Sequence, residues 1–195
     1  MKNHVKNHVM IDCETLGLSP RSLLRSVEAV VFDPENGTVT KSASWKINMA
    51  DSLNAGFIIE PATLKFWLME TDEARKAFVS GKEYTISQFV SSFTHFFESL
   101  KGETMVYSLQ ADFDIGFLRS YFMTNAMRKN RDTFTLPFDR KCIFDVRNYL
   151  RYLQKKGIEI TRSSSAKHDP HNDCIWQIQV IKQYIQNGGN DILDD

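Results

Sequence analysis

The chain has 195 residues, 42% hydrophobic and 12% aromatic, enough apolar surface to bury one sizeable core and too much for a disordered tail. Its three cysteines, Cys13, Cys142 and Cys174, are an odd number without a Cys-x-x-Cys pair, so a disulfide framework and a thiolate zinc site are both unsupported and a reducing cytoplasm is the expected setting. Net charge is zero, with 24 basic and 24 acidic residues, which argues against indiscriminate binding to nucleic acid; apolar runs are short and residues 1–10 are punctuated by Lys, Asn and His, so neither a membrane span nor a secretion signal is expected.

Val9-Met10-Ile11-Asp12-Cys13-Glu14 alternates, and as a strand it sets Val9, Ile11 and Cys13 on one side and Met10, Asp12 and Glu14 on the other. Two carboxylates thereby leave one face together. Leu24 to Asp33 reads as a second strand, Asp33-Pro34-Glu35-Asn36-Gly37 as a turn, and Thr38 to Asn48 as a returning strand, which makes an antiparallel meander. Past Pro61, which suits a first helical turn, 62–70 and 72–79 read as helices. The helix at 87–100 places Phe89, Phe93, Phe96, Phe97 and Leu100 on one stripe for a core. Thr104 to Leu109 is a short strand, and Phe113 to Met127 a helix that Asp112 is positioned to cap. Arg128 to Arg140 is a basic loop, Lys141 to Phe144 a strand, and Asp145 to Lys156 a helix stopped by Gly157. A Ser-rich loop, Arg162 to Lys167, leads to a last helix at about Asn172 to Gln186, ended by Asn187-Gly188-Gly189. This order predicts an α/β fold with a mixed central sheet flanked by helices, in a single domain, 1–195, whose core runs over about 8–187 and whose tail, 188–195, frays.

The charges are unevenly placed. From Arg119 to Lys167 twelve Lys or Arg stand against four acids, so this segment carries +8 and the rest −8. It reads either as a solvated basic surface or as a phosphate-tracking one beside a separate acidic site.

With fourteen Asp and ten Glu, chance supplies about 0.7 Asp-x-Glu pairs, and the chain holds two. Asp33-x-Glu35 sits in turn chemistry and reads as solvated. Asp12-x-Glu14 ends a strand that enters a core, where paired carboxylates are costly unless a metal or a cation compensates them. Two metal ions about 4 Å apart can activate a water and stabilise the leaving oxygen in phosphodiester cleavage. Holding them takes several carboxylates from separate elements, and hard oxygen ligands favour Mg²⁺ or Mn²⁺. Asp112, Asp114, Asp145, Asp169 and Asp173 are the downstream candidates, and His168, five residues before Asp173, is placed to act as general base.

Asp12-x-Glu14-Thr15, then Phe113-Asp114, then His168-x-x-x-x-Asp173 resembles the three-motif signature of the DEDD exonuclease superfamily in its histidine-bearing branch, with phage exonuclease A and related exoribonuclease-like proteins the most similar members. The resemblance extends to Ile11 through Gly17, to Ala62 through Leu68 with Glu73-Ala74-Arg75, to Asp145-Val146-Arg147 and to Lys167 through Cys174. It implies a ribonuclease H-like fold and a two-metal, 3′-to-5′ hydrolysis of single-stranded DNA or RNA from a free 3′ end, DNA favoured, releasing nucleoside 5′-monophosphates. Carried over, Asp12, Glu14, Asp114 and Asp173 would ligand the two Mg²⁺ or Mn²⁺ ions and His168 would be the base. Thr15 and Leu16 would hold the terminal nucleotide, Leu16 as an apolar wedge against the last bases. The resemblance also allows a homodimer and implies a role during phage growth in a host cytoplasm. Where the family often carries Asn five residues before the second-motif Asp, this chain has Leu109; His171 reads as a helix-start residue, Asp145 as a cap or ion pair, and Trp67 as core before base-stacking. The rival readings are a catalytically silent nucleic-acid or protein binding module on the same fold and a metal phosphatase for small nucleotides.

Overall fold

The computed structural model describes residues 6–162 and 170–189. β1 (Lys6–Thr15), β2 (Leu24–Phe32) and β3 (Val39–Ile47) form the expected antiparallel meander. On the other side of β1, β5 (Glu103–Ser108) and β6 (Ile143–Asp145) add in parallel. A two-residue strand, β4 (Glu83–Tyr84), pairs parallel to β3, and the sheet order is β4-β3-β2-β1-β5-β6. This is the expected α/β class with a mixed sheet.

Helices α1 (Met49–Asn54), α2 (Pro61–Met69), α3 (Asp72–Val79), α4 (Ile86–Glu98), α5 (Ala111–Arg128), α6 (Val146–Lys155) and α7 (Pro170–Gln186) complete the described chain. The alternation of β1 sends Val9, Ile11 and Cys13 into one core with Phe89 and Phe93 of α4 and Phe117 and Tyr121 of α5. Met10 faces the other core, with Val146 and Tyr149 of α6 and Ile178 and Ile181 of α7. Covered on both faces, β2 is buried at all nine residues. One of them is Arg25, whose guanidinium donates to the carbonyls of Phe78, Ile47 and Val79 and to Glu83 at 2.7 Å. Among the described residues no helix is long and apolar enough to cross a membrane.

Three local expectations are corrected. Asp112 does not cap α5; the backbone N–H of Ala111 donates to Asp145 Oδ2 instead, at 3.2 Å, and Asp112 pairs with Arg147. Residues 140–142 form a 3₁₀ turn capped by Asp139, so the strand is Ile143–Asp145 and Asp145 caps α6 through the N–H of Arg147. The short α1 and β4 escaped periodicity because neither is long enough to show one. The expected tail beyond Gly189 lies outside the described residues.

The turn from β1 into β2 fixes the approach to the site. Glu60, just ahead of α2, accepts from the Ser22 hydroxyl at 2.5 Å and from the Ser19 N–H at 3.2 Å. Gly17 lies so close to Ser22 and Glu60 that a Cβ would overlap both, which is why this position takes glycine. Leu16, Leu23 and Trp67 make a small third core beneath the turn.

Candidate active site

β1 and β5 run parallel, so their carboxyl ends open at the same edge of the sheet, where ligands of α/β sheets collect. At that end β1 slips register between Glu14 and Thr15, a bulge that turns the chain out of the sheet just after the two acids. Asp12 and Glu14 share a face, as the alternation requires. Across it lies the first turn of α7, which contributes Asp173, and carboxylate oxygens of Asp12, Glu14 and Asp173 all lie within 4.8 Å of one another. Asp114 comes from the first turn of α5. Its carboxyl accepts from the Ser108 hydroxyl and from the Cys13 thiol and N–H, and it repels Asp12 from just outside the close group.

Such a gathering is electrostatically costly. Burial, then repulsion from Asp114, Glu14 and Asp173, holds the Asp12 carboxyl well above the usual carboxylate range, although the Gln177 amide opposes this. Burial pushes Asp114 up to about 7 against the hydrogen bonds from Ser108 and Cys13. Helix N-termini at Asp114 and Asp173 offset part of the negative charge. Arg162 adds a guanidinium ion-paired to Asp173 and lying 5.5 Å over the Trp176 ring. Carboxylates of Asp12, Glu14 and Asp173 held within 4.8 Å at this cost, with Asp114 outside that group but next to Asp12, fit a hard divalent cation such as Mg²⁺ or Mn²⁺.

Of the other acids, Asp145 and Asp112 are taken by Arg147. For Asp145, burial is outweighed by the Arg147 guanidinium and by backbone N–H donors, which hold it below the ordinary value. His168 and Asp169 lie outside the described residues. His171, in the first turn of α7, places Nδ1 3.0 Å from Glu28. Glu28 itself stands opposite Asp12 on β2 and is buried, a further acid that the sequence reading passed over.

Leu16 needs a correction. It is 1% exposed and packed against Leu23 and Trp67, so its side chain has no surface to offer a base. Leu18, two residues on and 74% exposed, is the apolar residue that this turn presents. It lines a hollow of about 410 Å³ beside Glu14, together with Thr15, Phe66, Trp67 and Phe113. Thr15 is itself buried, its hydroxyl donating to the Gly17 carbonyl at 2.7 Å and its own carbonyl accepting from Trp67 Nε1 at 3.0 Å. Trp67 is therefore held in the core, as expected. Sequence reading gives the bulged turn no way to show which leucine points in.

Gln177 was also missed. Four residues after Asp173 on the same face of α7, it donates to Asp12 Oδ1 at 2.7 Å and accepts from the Leu109 N–H at 2.9 Å. It fixes the aspartate's orientation from outside the donor set. Gln177→Leu is expected to weaken Mn²⁺ binding by about 10- to 100-fold with the fold retained, as is usual for groups that orient ligands; titration calorimetry reads it, and unchanged affinity would remove that role.

No curated protein sequence matches the chain. Among solved structures, the zinc-bound complex of E. coli exonuclease I with single-stranded DNA aligns with a TM-score of 0.66 at 18% identity, over 94% of this chain and 41% of that one. The complex of E. coli exonuclease I with a dT13 oligonucleotide aligns with 0.62 at 17%, over 97% and 42%. The product-bound exonuclease I aligns with 0.61 at 16%, over 93% and 43%. The chain thus spans less than half the length of these proteins and shares their fold. The model of the 3′-5′ exoribonuclease Rv2179c-like domain matches residues 7–185, nearly the whole chain, and the chain belongs to that family.

Proposed function

We propose that the chain is a divalent-metal-dependent 3′-to-5′ exonuclease that hydrolyses single-stranded nucleic acid to nucleoside 5′-monophosphates. The observation that carries this reading is the convergence of Asp12, Glu14 and Asp173 oxygens within 4.8 Å at the carboxyl ends of β1 and β5, with Asp114 next to Asp12. Two divalent cations held by Asp12, Glu14, Asp114 and Asp173 would supply electrophilic activation of the scissile phosphate and of the attacking water.

The protein's own groups do the rest. Gln177 keeps Asp12 aimed at the donor set, and Ser108 and Cys13 keep Asp114 there. The hollow beside Glu14 receives the 3′-terminal base between Leu18, Phe66 and Phe113, in a slot whose floor, Trp67, is fixed by its bond to Thr15. His168 takes the proton from the attacking water. His168→Ala is expected to lower kcat by about 10²- to 10⁴-fold with metal binding retained. A larger loss in His171→Ala would move the base to His171.

The deciding experiment is a gel time course on matched 5′-labelled single-stranded DNA and RNA oligonucleotides with Mg²⁺, with Mn²⁺ and with chelator. A metal-dependent ladder shortening from the 3′ end is expected. The single-stranded DNA bound in the similar exonuclease I structures favours the DNA lanes and the matched family's description favours the RNA lanes, so the faster ladder assigns the sugar. Intact substrate in every lane, together with a gel shift, would instead identify a binding module.

A further inference from the structure

α5 carries Asp114 in its first turn, and farther along the same helix walls a groove that the chemistry above does not use. Two adjoining hollows, of about 430 and 310 Å³, share Arg119 and Phe134. Arg21, Phe57 and Met123 line the first, and Arg140 lines the second. Each is of a size that takes a small ligand. No acidic residue lines either one among the described residues.

Three arginines of the basic segment are spoken for, whereas Arg131 and Arg151, like those of the groove, have no ion pair among the described residues but line neither hollow. Arg128 is paired to Asp51, Arg147 to Asp112 and Asp145, and Arg162 to Asp173, so their charge is spent within the protein. Among the described residues the guanidinium groups of Arg21, Arg119 and Arg140 have no ion-pair or hydrogen-bond partner. Uncompensated arginines beside a half-buried aromatic are the combination that grips a single strand, through its phosphates and by stacking.

The groove also has the right place. The turn whose Leu18 lines the terminal hollow supplies Pro20 and Arg21 to the groove. That turn lies directly on α5, since a Cβ on Gly116 would stand 3.3 Å from Pro20 Cγ. From Asp114 to Arg119 the helix rises only about 7 Å. A strand whose 3′ end occupies the terminal hollow can pass over the Leu18–Arg21 turn into this groove.

We propose that the groove along α5 holds the nucleic-acid strand upstream of the 3′-terminal nucleotide, with Arg119 on phosphate and Phe134 stacked on a base. This rests on the exonuclease reading. The test compares hydrolysis of a dinucleotide with that of an octanucleotide of the preferred sugar, in the wild type, Arg119→Ala, Phe134→Ala and Phe134→Trp. Arg119→Ala is expected to leave the dinucleotide rate within about twofold and to raise KM for the octanucleotide about tenfold at unchanged kcat. The slope of log KM against log salt should fall by about 0.7 for each phosphate that the variant no longer neutralises. Phe134→Ala should cost octanucleotide affinity with the salt slope kept, and Phe134→Trp should restore it. Equal losses on both substrates, or none on either, would overturn the groove. If the wild type cleaves nothing, the exonuclease reading fails separately. Octanucleotide binding then decides: a roughly tenfold weaker Kd in Arg119→Ala keeps the groove as a strand site, and an unchanged Kd removes it.

Discussion

Asp12→Asn is expected to abolish hydrolysis while making the metal-free protein more stable. The loss should be at least about 10³-fold, because the substitution takes the central carboxylate from the donor set. The gain in stability follows from the same position. Asp12 is held far above the usual carboxylate range by burial and by three neighbouring acids, so its charge opposes folding. Removing that charge should add about 1–3 kcal/mol at pH 8 in chelator, or several degrees of Tm for a chain of this size. The pH dependence has a definite sign. Asp114 titrates at about 7 in the fold, and its ordinary value is 3.8, so the native state binds protons that the unfolded state does not. In chelator that contribution is fully present below pH 4 and is lost as pH rises through about 7. Saturating Mn²⁺ at pH 8 should reverse the loss in the wild type and do little in Asp12→Asn. Scanning calorimetry at pH 5 and pH 8 reads all of this, and an Asp12→Asn protein less stable than the wild type in chelator would move Asp12 from chemistry to structure.

Arg25→Met should destabilise the protein by about 3 kcal/mol, with the damage concentrated in α3. The Arg25 side chain is fully buried, and its removal strips donors from the Ile47, Phe78 and Val79 carbonyls and from Glu83. None of α3's residues is fully buried; it is held by Phe78 packed on Trp67, by these Arg25 bonds and by those of Lys46 to the Ala77 and Ser80 carbonyls. Arg25→Lys should recover little, because one ammonium cannot reach acceptors that a planar fork serves together. Urea denaturation gives the magnitude. Hydrogen exchange gives the location: fast exchange confined to residues 72–84 is expected, and an even rise over the whole sheet would mean that Arg25 braces β2 and not α3.

Much of the architecture could be read along the chain. The alternation at Val9 to Glu14, the turn at Asp33 to Gly37, Pro61 at a helix start and the phenylalanine stripe of α4 each involve residues within a few positions of one another, and each element formed where those signals put it. Asp12 and Glu14 were equally visible as two carboxylates on one face. What could not be read was the fate of groups whose partners come from elsewhere. Asp112, Asp114 and Asp145 look alike in sequence, yet Arg147 takes the first and third, and Ser108 and Cys13 hold the second beside Asp12. The three-motif resemblance picked out Asp114 and Asp173 but also named Leu16, which the bulge and the Gly17 turn bury in favour of Leu18.

The sequence by itself therefore determined the kinds and order of the elements and the presence of an acidic pair at the end of β1, because periodicity, capping and turn chemistry act between near neighbours in the chain. Only the tertiary structure decided which carboxylates share one small volume, that Gln177 steadies Asp12 across a separation of 165 residues, and which arginines of the basic segment remain free to meet phosphate. Those outcomes depend on distances through space between elements far apart in sequence, and a charge is silenced or exposed by whatever the fold sets beside it.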